Sequence, residues 1–314
     1  MSTKAIHNAG HIRVHSILYG NEPERIVQTV AHLDRAADLA IAAGALESVT
    51  LVYGDSSGTP VLDDAAIAAI AARSPALRSV QNVFFGRNMG SARGHNTLIE
   101  HAQAAVDAGG LPVDAVLIMN PDVMLAPDAL IELARPLQNP KAGMVEARQL
   151  PIEHPKEYSP ATGETGWATT ACALIPFRLL RELEGFDADS FFLYCDDVDY
   201  SWRTRLAGYS VIYQPSAAVF HDKRLGAGGQ WQPTSSEQYY SAEAALMMAH
   251  KYSRPEIVER LLKGFGQSEI AHLKRAADTF EARRQAGTLP APIDKGHKVS
   301  VFRGDHYTEH RFSL

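Results

Sequence analysis

Short apolar runs alternate with longer amphipathic, alanine-rich stretches through the first half of the chain. Residues 12–19 form the first run. Asn21-Glu22-Pro23 opens the stretch behind it, with proline in the first helical turn, where its missing N–H is no loss. That helix is predicted to reach about residue 43 and stop at Gly44. A second strand is predicted over 49–53, ending in the turn cluster Gly54-Asp55-Ser56-Ser57-Gly58. An Ala/Ile helix capped by Asp63-Asp64 follows, then a strand over 80–85, a helix over 90–106, a strand over 115–119 and a helix over 127–137. Strands alternating with helices call for βαβ units and a mostly parallel sheet. Right-handed crossovers then set the C-terminal strand ends along one edge. Asn21, Asp55, Arg87-Asn88 and Asn120/Asp122 fall at those ends.

Past Gln149 the pattern changes. Residues 151–166 are polar and rich in proline and glycine, and are predicted as a loop. A strand is predicted over 167–176 and a short helix over 177–184, ended by Gly185-Phe186-Asp187. Residues 196–207 follow as a helix with Gly208 as its C-terminal cap. A glycine-rich mobile loop over 225–232, a helix over 236–252, two helical stretches within 255–286 and a late strand over 298–302 complete the prediction.

Composition narrows the class. A chain of 314 residues, 46% hydrophobic and 21% charged, can bury a substantial core as one large domain or two ordinary ones. A net charge of −6 speaks against a nucleic-acid binder, although Lys223-Arg224 and residues 274–284 are locally basic. Cys172 and Cys195 lack the spacing of a thiolate zinc site, and two structural thiols in a reducing cytoplasm are expected. Neither a signal-peptide core nor a run of the ~18 apolar residues that a membrane span needs is visible, so membrane contact is expected to be peripheral.

The polar residues carry the chemistry. Asn120-Pro121-Asp122 follows the apolar run 115–119, Asp196-Asp197-Val198-Asp199 follows Phe191-Phe192-Leu193-Tyr194-Cys195, and His221 follows Val219-Phe220. Acids and a histidine at the ends of buried segments suit a divalent metal, a phosphate-bearing substrate and a general base. Plainer uses exist for each. Acids at a helix start answer the macrodipole and the orphan N–H groups, Asn-Pro-Asp is an ordinary turn, and a lone histidine is often structural. His7, His11 and His15 read as surface or strand-flanking groups.

Taken together, these motifs resemble the family 2 inverting glycosyltransferases, in the rhamnosyltransferase-like branch with Asn-Pro-Asp in place of Asp-x-Asp. The residues that carry the likeness are Gly185-Phe186-Asp187, Phe191-Phe192-Leu193-Tyr194, Asp196-Asp197-Val198-Asp199, Trp202-Arg203 and His221, with Arg87-Asn88-Met89-Gly90, Gly94 and Asn96 upstream. The resemblance covers roughly residues 12–252. It implies a GT-A fold: an α/β architecture with a mixed, mostly parallel sheet flanked by helices. Residues 1–252 would be the transferase domain, with about 12–122 the nucleotide-sugar half and 123–252 the acceptor and catalytic half. Residues 253–314 would be a helical C-terminal extension.

The resemblance also implies roles. A sugar would move from a nucleotide-diphosphate donor (dTDP-rhamnose or a UDP-sugar) to a hydroxyl of a glycan or glycolipid, in bacterial cell-envelope polysaccharide synthesis at the inner face of the membrane. Asp197 would be the general base and Asp196 would orient the acceptor. Asp122 and His221 would hold Mg²⁺ or Mn²⁺ on the diphosphate. Ser16, Tyr19, Asp55, Arg87, Asn88, Gly94, Asn120, Lys223 and Arg224 would meet the donor, with helix capping the alternative for Arg87 and Asn88. Trp167 and Trp231 are candidates for stacking on an acceptor sugar, with core packing the alternative for Trp167. A homodimer is compatible with the extension.

Two departures from the family pattern stand out. The turn Gly54-Asp55-Ser56-Ser57 shifts the usual acid, and Tyr239-Tyr240-Ser241-Ala242-Glu243 lacks the usual Arg-Asn pair. They motivate an alternative, a degenerate domain that binds nucleotide sugar or glycan without turnover. A metal-dependent phosphohydrolase is a weaker rival. Its aspartyl motif would sit at Asp197-Val198-Asp199, yet such motifs open a fold, and here four βα units come first. No Gly-x-Gly-x-x-Gly follows the first strand and no P-loop is present, which removes dinucleotide dehydrogenases and P-loop enzymes.

Overall fold

The computed structural model describes residues 8–222 and 233–308. The chain begins with β1 (His11–Leu18), α1 (Pro23–Ala42), β2 (Ser48–Asp55), α2 (Asp64–Ala72), β3 (Leu77–Phe84), α3 (Gly90–Asp107) and β4 (Ala115–Met119). β1 pairs in parallel with both β2 and β4, and β2 with β3. This is the alternating pattern expected of the first half. α1 shows why: Ile26, Val30, Leu33, Ala37 and Ala40 recur at helical spacing and are buried, and the helix ends where Gly44 takes φ +73°.

The second half departs from the prediction. The remaining strands are β5 (Val123–Leu125), β6 (Ala142–Leu150), β7 (Cys172–Pro176) and β8 (Ser210–His221). The eight-stranded sheet runs β3-β2-β1-β4-β7-β6-β8-β5. Its β4/β7, β6/β7 and β5/β8 pairs are antiparallel and its β6/β8 pair parallel. β5, β6 and β8 lie outside the predicted strands. β8 is hidden by Pro215, which sits in a bulge: the register with β6 jumps from Ala147↔Gln214 to Arg148↔Ala218.

Two predicted strands need correction. Residues 167–171 lie outside the ladder, and the Ala168 N–H donates to the Ser201 hydroxyl at 3.0 Å rather than to a neighbouring strand. Residues 298–302 form a loop instead of a strand. The Asp294 carboxylate gathers the N–H groups of Lys298, Val299 and Ser300 at 2.8–3.1 Å, which bends the chain.

The helices of the second half are α4 (Ala129–Ala134), continued by a 3₁₀ turn over Arg135–Gln138, then α5 (Phe177–Glu182), α6 (Asp196–Leu206), α7 (Ser235–Lys251), α8 (Pro255–Gln267) and α9 (Ala271–Ala286). A main core fills the face of β1–β4 beneath α1, α2 and α4. A second core joins Trp202 of α6, Leu246 and Met247 of α7 and Tyr252 just past its end to Ile257, Leu261 and Phe280 of α8 and α9. The C-terminal helices thus pack on the element that presents the acids. No described helix is long and apolar enough to cross a membrane.

Candidate active site

The end of β4, the end of β8 and the start of α6 surround a cleft of about 370 Å³. Asn120, Asp122, Asp196, Asp197 and His221 all line it, so the residues far apart in sequence that were singled out for chemistry share one space. Pairing of β5 with β8 puts Val123 opposite His221, and this carries Asp122 to the ring. His221 Nε2 lies 3.4 Å from Asp122 Oδ1 and 3.5 Å from the Asn120 amide nitrogen.

Behind His221 runs a chain of buried polar groups that the sequence reading missed. The Thr169 hydroxyl donates to Glu146 Oε1 at 2.9 Å, and the Gln149 amide nitrogen donates to Thr169 Oγ1 at 2.9 Å. Gln149 therefore turns its carbonyl oxygen to His221 Nδ1, 2.7 Å away. An amide oxygen only accepts, so Nδ1 carries the proton and Nε2 is the nitrogen that faces Asp122. Lys156 pairs with the other Glu146 oxygen, and both side chains are buried. Burial pushes the Glu146 carboxyl up, opposed by the Lys156 ammonium. A lone acid in the apolar run Met144-Val145-Glu146-Ala147 was the available signal, since a charge there needs a buried partner.

At the start of α6 the backbone is strained. Tyr194 and Cys195 take φ +69° and +59°, a conformation costly for residues with a Cβ, at roughly 1–3 kcal/mol each. The strain turns the helix N-terminus into the cleft. Asp196 is buried, with one carboxylate oxygen lacking a protein partner. Burial, and then the Asp197 charge, raise its pKa to about 7. Asp197 is half-buried and accepts the Val198 N–H at 2.8 Å. Two carboxyls thus stand side by side at the start of the helix, one buried with a raised pKa and one half-buried at the cleft.

The third acid braces the helix. Asp199 is fully buried and takes Arg203 Nε at 2.8 Å, Lys251 Nζ at 2.5 Å and the Tyr252 hydroxyl at 3.0 Å. Lys251 also reaches Asp187 at 2.6 Å. Asn96 clamps the Phe186 backbone with both ends of its amide, at 2.7 and 2.8 Å, so the Gly-x-Asn and Gly-Phe-Asp motifs fold onto each other.

The other candidates lie outside the cleft lining. Ser16 is buried within β1, Tyr19 is 63% exposed at its end, and Arg87 is exposed. Asp55 is fully buried, and its oxygens accept the Ser57 and Val61 N–H groups at 3.0 and 2.6 Å, which folds the loop after β2. Asn88 accepts the Gly90 N–H at 3.0 Å. Close approach at Gly90 and Gly94 is to the protein itself: an added Cβ would meet Phe192 O at 2.3 Å and the Ile17 side chain at 3.0 Å. Trp167 is 8% exposed and packs edge-on against Tyr307, with Lys156 over its ring. Lys223, Arg224, Trp231 and the glycine-rich loop fall outside the described residues, as does His7. His15 is no surface group: it is fully buried, because β1 is covered on both faces.

Among the described residues no three His, Cys, Asp or Glu side chains converge as a metal cage. Asp122 and His221, one carboxylate and one imidazole, fit a site completed by substrate oxygens and water, a donor set that suits Mn²⁺ better than the all-oxygen preference of Mg²⁺.

This fold and cleft define a GT-A glycosyltransferase. The model of the family described as "Glycosyltransferase like family 2" matches residues 22–247, and the chain belongs to that family. Its relatives include N-acetylglucosaminyl-diphospho-decaprenol L-rhamnosyltransferase from two strains of Mycobacterium tuberculosis. That enzyme is 28% identical over 262 residues, which is 71% of this chain and 81% of the relative. Among solved structures, a mannosyltransferase from Pyrobaculum calidifontis, in complex with GDP-Man and Mn²⁺, aligns over 88% of this chain and 81% of its own, with TM-score 0.51 and 16% identity. GalNAc-T7 with UDP, GalNAc and Mn²⁺ aligns over 93% of this chain and 60% of its own, with TM-score 0.60 and 12% identity.

Proposed function

We propose that the protein is an inverting glycosyltransferase that moves a hexose, with rhamnose the leading candidate, from a nucleotide-diphosphate donor to a hydroxyl of a lipid-linked glycan. The observation that carries this reading is the shared cleft of sugar size, lined by Asp122 and His221 together with Asp196 and Asp197. The relative's printed acceptor, an N-acetylglucosaminyl-diphospho-decaprenol, supports a lipid-diphosphate sugar. Mn²⁺ with GDP-Man in one structural neighbour, and with UDP and GalNAc in another, supports a divalent metal.

Mechanism follows from the two walls of the cleft. Asp122 and the Nε2 of His221 would hold Mg²⁺ or Mn²⁺, which supplies charge neutralisation of the departing nucleoside diphosphate. Asp197 takes the proton of the acceptor hydroxyl as it attacks the anomeric carbon from the face opposite the diphosphate. Asp196, whose pKa burial raises to about 7, in its protonated form donates a hydrogen bond that orients the acceptor. The work belongs at the cytoplasmic face of a membrane, reached peripherally, in envelope polysaccharide synthesis.

A calorimetric panel of nucleoside diphosphates and nucleotide sugars, with and without Mn²⁺, tests the reading. Metal-dependent binding of one nucleotide, lost in Asp122→Ala, is the expected result. Equal affinity with and without metal would remove the role of Asp122. Phosphate release without an acceptor would favour the hydrolase, and binding without any transfer would favour the degenerate domain.

A further inference from the structure

The opposite edge of the sheet, where β1, β2 and β3 begin, carries a second polar cavity of about 280 Å³. Its wall includes Arg13, Ser48, Thr50, Arg78, Ser79 and Gln81. A sheet face beneath a helix is ordinarily apolar, and the other face of these strands is. Here the register lines up Arg13, Thr50 and Ser79 in a row across three strands.

Arg13 is the central observation. It is 6% exposed, yet no described carboxylate pairs with it. Its Nε–H donates to His15 Nε2 at 3.1 Å, and its Nη2 meets His101 Nδ1 at 2.6 Å. Both rings act as acceptors and are therefore neutral, so neither offsets the charge. Burial and the guanidinium hold both imidazoles below the ordinary histidine value. A guanidinium withdrawn from water without a counter-charge is strongly unfavourable, and most buried charges are paired.

Arg78 adds a second positive group. The β2/β3 ladder passes from Val49↔Leu77 to Thr50↔Ser79 and skips Arg78, which leaves it as the extra residue of a bulge. A bulge re-aims side chains, and this one lets both Arg78 and Ser79 line the cavity. Among the described residues Arg78 has no ion pair either. His11, on the cavity wall, pairs through Nε2 with Glu47 at 3.2 Å and through its backbone N–H with Asp114 at 2.8 Å.

We propose that this cavity binds a small tetrahedral oxyanion of the phosphate class, held by the Arg13 and Arg78 guanidinium groups and by the Thr50 and Ser79 hydroxyls, the Ser48 hydroxyl being engaged with His11 Nδ1 at 2.8 Å. Planar guanidinium donors match the spacing of phosphate oxygens, and a volume of this size admits the ion with water. The site lies at the N-terminal strand ends and the catalytic cleft at the C-terminal ends, so the two are separate on the molecule.

Calorimetric titration of the full chain with inorganic phosphate in a low-salt buffer, with chloride as the control anion, tests the proposal. One phosphate per chain is expected, at least tenfold weaker in Arg78→Gln and unchanged in Asp122→Ala. Arg78 is exposed, so its replacement leaves the fold intact; a thermal melt in the same buffer verifies this and should show a phosphate-dependent rise in wild type and Asp122→Ala that is reduced in Arg78→Gln. Absence of phosphate-dependent heat and stabilisation would overturn the site. Equal affinity in Arg78→Gln, or loss of binding in Asp122→Ala, would overturn it too, the latter by placing the anion in the catalytic cleft. Adenosine monophosphate in place of phosphate distinguishes a free ion from the phosphoryl end of a larger ligand.

Discussion

Gln149→Leu isolates the buried relay behind His221 from the residues that would meet substrate. The substitution keeps the side-chain volume near that of glutamine but removes the oxygen that accepts the Nδ1 proton at 2.7 Å. His221 is 7% exposed, so water is a poor substitute. Its ring can either keep an unpaired buried N–H, at a cost of about 1–3 kcal/mol, or move the proton to Nε2 and lose the lone pair facing Asp122. Either route weakens a cation site by about 10–100-fold, the range for loss of a partner behind a metal ligand; at about 1.4 kcal/mol per tenfold the two figures agree. Mn²⁺ titration followed by calorimetry reads the affinity. Imidazole ¹⁵N shifts of the metal-free protein read the tautomer independently of any activity. Gln149→Glu, which keeps an acceptor at Nδ1, should restore most of the affinity. Wild-type Mn²⁺ affinity in Gln149→Leu, with Nδ1 still protonated, would refute the relay.

Asp196→Asn should flatten the dependence of stability on pH. The unfolded carboxyl ionises near 3.8 while the folded one holds its proton to about 7, so stability from this group is full at low pH and falls as pH rises through that window. That span caps the effect at roughly 4 kcal/mol. Thermal melts should therefore show the variant gaining on wild type at pH 8 and matching it at pH 4; parallel curves would contradict the burial argument. Lys251→Met leaves Asp199 buried with one cation fewer and should lower stability by about 3 kcal/mol in urea unfolding, against no change if the network is only superficial.

How much could be read from the chain depended on where the signal was stored. β1, β2 and β4 were legible because each is a compact apolar run punctuated by glycine, proline or asparagine, whereas β3 mixes Arg78, Ser79, Gln81 and Asn82 among its apolar residues and its expected start fell three residues late. β8 was not, because Pro215 and its bulge break the run that the strand crosses. Residues 167–171 misled in the opposite direction: they are apolar enough for a strand, but Ala168 gives its N–H to Ser201 on α6 rather than to a neighbouring strand. In the site, the acids and His221 were visible because they cluster at segment ends. Gln149, Thr169 and Glu146 were invisible as a group because only the antiparallel return of β7 against β6 brings Thr169 near them. The second task of Asp55, folding its own loop through the Ser57 and Val61 N–H groups, left no mark in the sequence.

The central claim is that Asp197 deprotonates the acceptor. The most direct measurement is sugar transfer by Asp197→Asn, made alongside donor affinity in the same preparation. A general base contributes about 10²–10⁴-fold, so transfer should fall by that factor while donor binding stays at the wild-type value. Turnover at the wild-type rate would contradict the account, and so would a loss of transfer matched by an equal loss of donor binding.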